Sequence, residues 1–142
     1  MPNTAPENPS EGMPKEKGAA DEFVKASLWK EKPEAWHEIM KGVRRRILSH
    51  SPTGMMVLYQ IEPGSVFPLH SHPHAQFGYF LAGGGDFKVG ESSWKMKEGD
   101  SYYIPPGVLH ELRTGSKRSV VIDFFTPERA DYHSEVAPPE ES

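Results

Sequence analysis

From Gly54 onward, apolar residues come in short runs that are broken at regular intervals by turn residues. Met55 to Ile61, Val66 to His72, Gln76 to Leu81, Asp86 to Val89, Trp94 to Lys97, Asp100 to Ile104, Val108 to Arg113 and Val120 to Phe125 are predicted strands. Pro63-Gly64, Gly83-Gly84-Gly85, Gly90, Gly99, Pro105-Pro106-Gly107 and Gly115-Ser116 supply the turns between nearly all of them. A further strand is predicted over Val43 to Leu48, with Val43, Arg45 and Ile47 on one face and Arg44, Arg46 and Leu48 on the other. Short strands at this spacing, with no helix between them, predict an all-β sandwich or barrel.

The flanks read differently. Residues 1–20 are rich in Pro, Glu, Asn, Gly, Lys and Ala and cannot bury enough surface to offset their ordering, so a disordered N-terminal arm is expected there. In residues 21–41, Asp21 is suited to cap a short helix carrying Phe23, Val24 and Leu28, ended by Pro33. Trp29 and Trp36 are expected to dock on the barrel wall or to cross into a dimer. The domain is expected to span 21–133, with a frayed Pro/Glu-rich tail at 134–142.

Composition narrows the function. The chain has 142 residues and a net charge of −4, which suits one domain and argues against nucleic acid or an anionic membrane surface as partner. The three arginines at 44–46 are therefore read as a solvated edge, with one of them able to reach the cavity mouth. There is no cysteine, so any metal is held by nitrogen and oxygen. No apolar run approaches the roughly 20 residues of a membrane span. Without a basic start and apolar core at the N-terminus, a cytoplasmic location is expected.

Four residues are candidate ligands for one ion. His70 and His72 are two apart, which on a strand puts both rings on one face. Gln76 follows past Pro73, and His110 follows the Pro105-Pro106-Gly107 turn. Only a small closed sheet could bring all four together. Imidazoles and an amide oxygen suit one divalent transition metal ion (Zn, Ni, Fe, Co or Mn). A neutral amide at 76 leaves the ion its whole charge, which favours Lewis-acid chemistry on an anionic substrate. The alternative is that Gln76 only hydrogen-bonds His74 or the backbone. His74 itself is read as an outer-shell donor or a rim residue. On the last strand, Val121, Asp123 and Phe125 are expected to face inward. An inward Asp123 is costly unless paired or functional; it serves as a base, with Arg129 clamping a carboxylate, or the two form a rim salt bridge.

Gly64, His70-x-His72, Gln76 and Gly83, then Gly99, Pro105-x-Gly107 and His110, resemble the two cupin motifs. Gln76 stands where most cupins carry Glu, and Thr114 where Asn is usual. His-Ser-His-Pro-His-Ala-Gln-Phe-Gly-Tyr (70–79) and Ile-Asp-Phe-Phe-Thr-Pro-Glu-Arg (122–129) further resemble the small cupins of the pectin-degradation protein KdgF type. The resemblance implies a jelly-roll barrel with a short N-terminal extension. It implies a metal held by His70, His72, Gln76 and His110, and Asp123, Phe125 and Arg129 serving the substrate. It also implies opening of 4,5-unsaturated uronates to linear keto acids, a step of carbohydrate metabolism. The alternatives are an Fe(II)-dependent cupin dioxygenase and a non-enzymatic cupin that binds a small molecule or metal. A homodimer is expected, with region 21–48 crossing over.

Overall fold

The computed structural model describes residues 25–140. The arm at 1–20 and the expected cap at Asp21 lie outside the described residues. Ten strands follow one another: β1 (Trp36–Met40), β2 (Val43–Ser51), β3 (Gly54–Ile61), β4 (Val66–His70), β5 (Ala75–Ala82), β6 (Gly84–Val89), β7 (Ser92–Lys97), β8 (Ser101–Ile104), β9 (His110–Thr114) and β10 (Ser119–Thr126). They form a six-stranded sheet in the order β1-β2-β3-β10-β5-β8 and a four-stranded sheet in the order β4-β9-β6-β7. The paired strands run antiparallel. This is the predicted all-β jelly roll.

Alternation builds the core. Met55, Val57, Tyr59 and Ile61 on β3 point inward, as do Val121, Asp123 and Phe125 on β10 and Gln76 and Phe80 on β5. From the second sheet, Phe87, Val89 and Leu112 meet them. The core thus lies between the two sheets, and some of its apolar residues, Phe87, Leu112, Val121 and Phe125 among them, also line the cavity described below.

Several elements differ from the sequence-based expectation. Among the described residues of the 21–41 stretch no α-helix forms. A 3-10 turn at Pro33–Ala35 leads into β1, which pairs with β2, and Leu28 is exposed. The strand went unread because its burial is only partial along its whole length. Gly83-Gly84-Gly85 is only partly a turn. Gly84 and Gly85 begin β6, where a Cβ would overlap the carbonyls of Met96 and Arg113 on the flanking strands. Glycine is required there for close backbone approach.

The arginine edge is not simply solvated. Arg45 hydrogen-bonds Glu135 at 2.6–3.2 Å and stacks on Tyr132 at 3.6 Å. The described part of the tail expected at 134–142 meets the segment before β1. Trp29 Nε1 donates to the Ala137 carbonyl at 2.8 Å, and the Glu140 amide donates to the Leu28 carbonyl at 2.7 Å. A second 3-10 helix, Ala130–Glu135, brings Tyr132 into the core. Thr114 stitches two turns. Its hydroxyl donates to the Glu62 carbonyl and accepts from the Ser65 amide, both at 2.8 Å. No helix among the described residues is long and apolar enough to cross a membrane.

The alternation predicts a sharp contrast in stability. Phe80→Ala, at a fully buried position, is expected to lower unfolding free energy by about 3–5 kcal/mol. Lys88→Ala, on the exposed face of β6, is expected to change it by no more than about 0.5 kcal/mol. Denaturant titration of both variants checks this.

Candidate metal centre and its buried carboxylate

The three motif histidines converge. His70 ends β4, His110 begins β9 opposite it in register, and His72 lies in the loop leading to β5. Ring centroids are 4.2 Å apart for His70 and His110, 5.0 Å for His72 and His110, and 5.9 Å for His70 and His72. One nitrogen from each ring lies within 4.8 Å of the others. Gln76, on the inward face of β5, completes the group, with Oε1 2.8 Å from His72 Nε2.

Backbone carbonyls fix the tautomers. His70 Nδ1 faces the Pro68 carbonyl at 2.7 Å, His72 Nδ1 that of His74 at 3.0 Å, and His110 Nδ1 that of Val108 at 2.9 Å. A carbonyl oxygen only accepts, so each Nδ1 carries the hydrogen. In a neutral imidazole the lone pair then sits on Nε2. Burial, with the neighbouring positive groups adding to it, pushes the His110 pKa down to about 4, and burial likewise lowers that of His72. Both are therefore neutral at neutral pH.

The sign of the remaining contacts matters. Gln76 Oε1 is the atom turned toward His72, which leaves its amide nitrogen on the side of the Asp123 carboxylate, whose pKa Gln76 helps hold down. Two acceptors thus face each other at 2.8 Å, an arrangement that calls for a cation between them. His110 Nε2 is buried with no hydrogen-bond partner. This donor set, three imidazole nitrogens and one amide oxygen, fits a borderline divalent ion. His74 contributes through its carbonyl. Its ring packs edge-on to Phe125 at 6.5 Å, and its Nδ1 is buried without a partner.

Asp123 lies beside this group on β10, buried. Burial raises its pKa from 3.8 to about 6, against the opposing hydrogen bonds of Tyr102 and Gln76. Tyr102 donates its hydroxyl to Asp123 Oδ1. Burial, with Asp123 adding to it, pushes the Tyr102 pKa well up, so it stays a neutral donor. Gly78 sits in register between them, opposite Tyr102 on β8 and Asp123 on β10. Any Cβ at 78 would overlap both side chains.

Asp123 and Arg129 do not pair. Arg129 instead binds Asp131 through Nε at 3.0 Å and a terminal nitrogen at 2.7 Å. It lies over the rings of Phe125 at 5.1 Å and Tyr132 at 4.3 Å. Phe125 itself is buried, edge-on to His72 at 5.4 Å. His70, His72, Gln76, His110, Asp123, Phe125 and Arg129 all line one cavity. Tyr102, Tyr59 and Tyr132 line it too and were not singled out from the sequence. For Tyr102 the available signal was Gly78, a glycine inside a strand pattern, which marks a close approach.

The family described as Cupin domain matches residues 57–125. Pectin degradation protein KdgF of Dickeya dadantii (strain 3937) is 32% identical over 98 residues, spanning 68% of this chain and 89% of that protein. The structure of KdgF from Halomonas sp. superposes with a TM-score of 0.65 at 30% identity, over 68% of this chain and 90% of that one. An RmlC-like cupin from Shewanella frigidimarina gives a TM-score of 0.70 at 25% identity, over 76% and 96% of the two chains.

The Tyr102 hydrogen bond is one of the two that hold the Asp123 pKa down against burial. Tyr102→Phe is therefore expected to raise it above about 6 in the metal-free protein. Carboxyl carbon chemical shifts followed across pH measure this directly; an unmoved or lowered midpoint would contradict the assignment.

Proposed function

This chain belongs to the cupin family, as a small single-domain member resembling the KdgF type, and from that premise we propose that it is a metal-dependent isomerase opening 4,5-unsaturated uronates to linear keto acids. The observation that carries the reading is the juxtaposition of an inward-facing lone-pair set with a buried carboxylate and an arginine in one cavity. Bound there by His70, His72, Gln76 and His110, a divalent ion supplies Lewis acidity and an anchor for the substrate's oxygens. A neutral ligand set leaves that ion its full charge, which favours an anionic substrate. A small released sugar acid of this kind fits a cytoplasmic place of work.

The net reaction moves one proton. The anomeric hydroxyl loses it, the bond from C1 to the ring oxygen breaks, C5 becomes the keto carbon, and C4 gains a proton. Asp123 is the group to carry it, since burial raises its pKa to about 6 and so brings it toward the optimum for acid–base exchange near neutrality. Tyr102 orients the carboxylate. Arg129 meets the substrate carboxylate with its planar fork, and Phe125 walls the cavity against water.

The test is loss of the enol-ether absorbance on adding galacturonate-, mannuronate- or guluronate-derived unsaturated uronates. Asp123→Asn is expected to lower turnover about 100-fold with metal content unchanged, and Arg129→Ala to raise KM. His72→Ala is expected to lose the ion at this centre. Asp123 acts ionised, so activity is present above its pKa and falls as pH drops through it. The inflection lies at or below about 6, because a bound cation draws it down from the metal-free value. No acceleration over the spontaneous rate for any of the three substrates, with metal bound, would overturn the reading.

A homodimer is also proposed, with its contact moved from the region expected at 21–48. Trp29 and Arg45 in that region are engaged within the same chain, by Ala137 and Glu135. The outer face of the six-stranded sheet carries the row Met56, Phe124, Phe77 and Tyr103, register neighbours that are all exposed. Beside it lies the row Leu58, Ile122 and Tyr79. The first row holds no charge, and Arg46, next to Leu58 at the end of the second, is paired with Glu31, so a second copy of the same face is a chemical match for it. Light scattering is expected to give a dimer for the parent and a monomer for Phe124→Glu. A monomeric parent at micromolar concentration would remove the proposal.

A further inference from the structure

On the outside of the barrel, away from the cavity, three metal-ligating side chains from three separate elements meet. His50 comes from β2, Glu128 from the segment after β10, and His133 from the 3-10 helix Ala130–Glu135. His50 Nδ1 lies 2.9 Å from Glu128 Oε2, and His133 Nε2 lies 3.0 Å from Glu128 Oε1. One ligand atom from each lies within 4.8 Å of the other two. Ligand atoms around a zinc-like ion at about 2.0–2.2 Å sit roughly 3–3.5 Å apart, so small rotations of these side chains close the set on one ion. We propose that His50, Glu128 and His133 form a second divalent cation site, of the zinc class, independent of the cavity centre.

The surroundings support a built site rather than a passing ion pair. The His50 and Glu128 side chains are only 11% and 15% exposed, while that of His133 is 51% exposed and leaves a route for the ion. The Trp29 ring lies against the His50 ring, centroids 5.4 Å apart, and is itself tied through Nε1 to the Ala137 carbonyl. A groove lined by Trp29, Val136 and Pro138 opens beside the cluster and provides room for the remaining ligands of the ion, as water. One carboxylate and two imidazoles are a donor set that holds borderline divalent ions with positions left open.

The site would act on the chain's own geometry. Glu128 directly precedes Arg129, and His133 lies four residues after Arg129, in the 3-10 helix Ala130–Glu135. An ion bridging both to β2 would hold the segment that carries Arg129 against the barrel.

Zn2+ titration against a chelating indicator, on protein stripped of metal, tests this. The parent is expected to bind two ions per chain at micromolar free Zn2+. His72→Ala, which disables the cavity centre, is expected to keep one. The double variant His72→Ala with His133→Ala is expected to bind none, and Glu128→Gln in place of His133→Ala is expected to give the same result. Circular dichroism checks folding of each, and the exposed position of His133 makes its replacement the conservative one. One ion in the parent, none in His72→Ala, or one retained in both double variants would overturn the second site. Because the readout is stoichiometry, failure of the proposed isomerase activity leaves this result untouched.

Discussion

Burying Asp123 inside a closed sheet sets the terms for everything around it. An ionised carboxylate there loses its water and is tolerated only if hydrogen-bond donors replace it. Tyr102 and Gln76 provide those donors. The Tyr102 hydroxyl reaches Asp123 only because Gly78, which lies between them in register, has no side chain. The amide at 76 follows from the same constraint. A glutamate there would set a second carboxylate against Asp123, whereas an amide gives a hydrogen to the acid with one end and presents an oxygen to His72 with the other.

The jelly roll makes this possible by drawing on both sheets. His70 and His110 are cross-strand partners in the four-stranded sheet, while Gln76 and Asp123 sit on adjacent strands of the six-stranded one. The two sets meet across the gap between sheets. Each imidazole is locked by a carbonyl two residues away in sequence, so the chain segment that supplies a ring also fixes its tautomer. Little of the site depends on long, mobile side chains; Arg129 is the exception, and it is held by two rings and Asp131.

How much of this could be read from the sequence follows from how local each signal is. The strands with clear alternation, β3, β5 and β10, were legible because a period of two with one buried face leaves an unambiguous trace. So was the inward position of Asp123. The glycine- and proline-anchored histidine spacing placed the ligand candidates, since each lies at a strand end beside a turn. β1 was not legible, because none of its residues is fully buried and no pattern results. The anchoring of the chain's end by Trp29, and the pairing of Arg45 with Glu135, were not legible either. Both join residues about a hundred positions apart, and composition alone reads such segments as solvated. Tyr102 was hidden for a related reason: its role depends on two other strands.

The clasp between Arg129 and Asp131 bears on what the cavity rejects. Asp131 is held below the usual carboxylate range by Arg129 and so remains charged. An incoming carboxylate therefore meets an arginine that already has a counter-ion, and it enters by exchange rather than by filling a vacancy. A simple monocarboxylate gains from the swap only what Asp131 gives up, which is close to nothing. A ligand that also brings oxygens for a second point of attachment deeper in the cavity gains more than it displaces. The clasp thus sets a condition on any carboxylate that would bind Arg129: it must first displace Asp131.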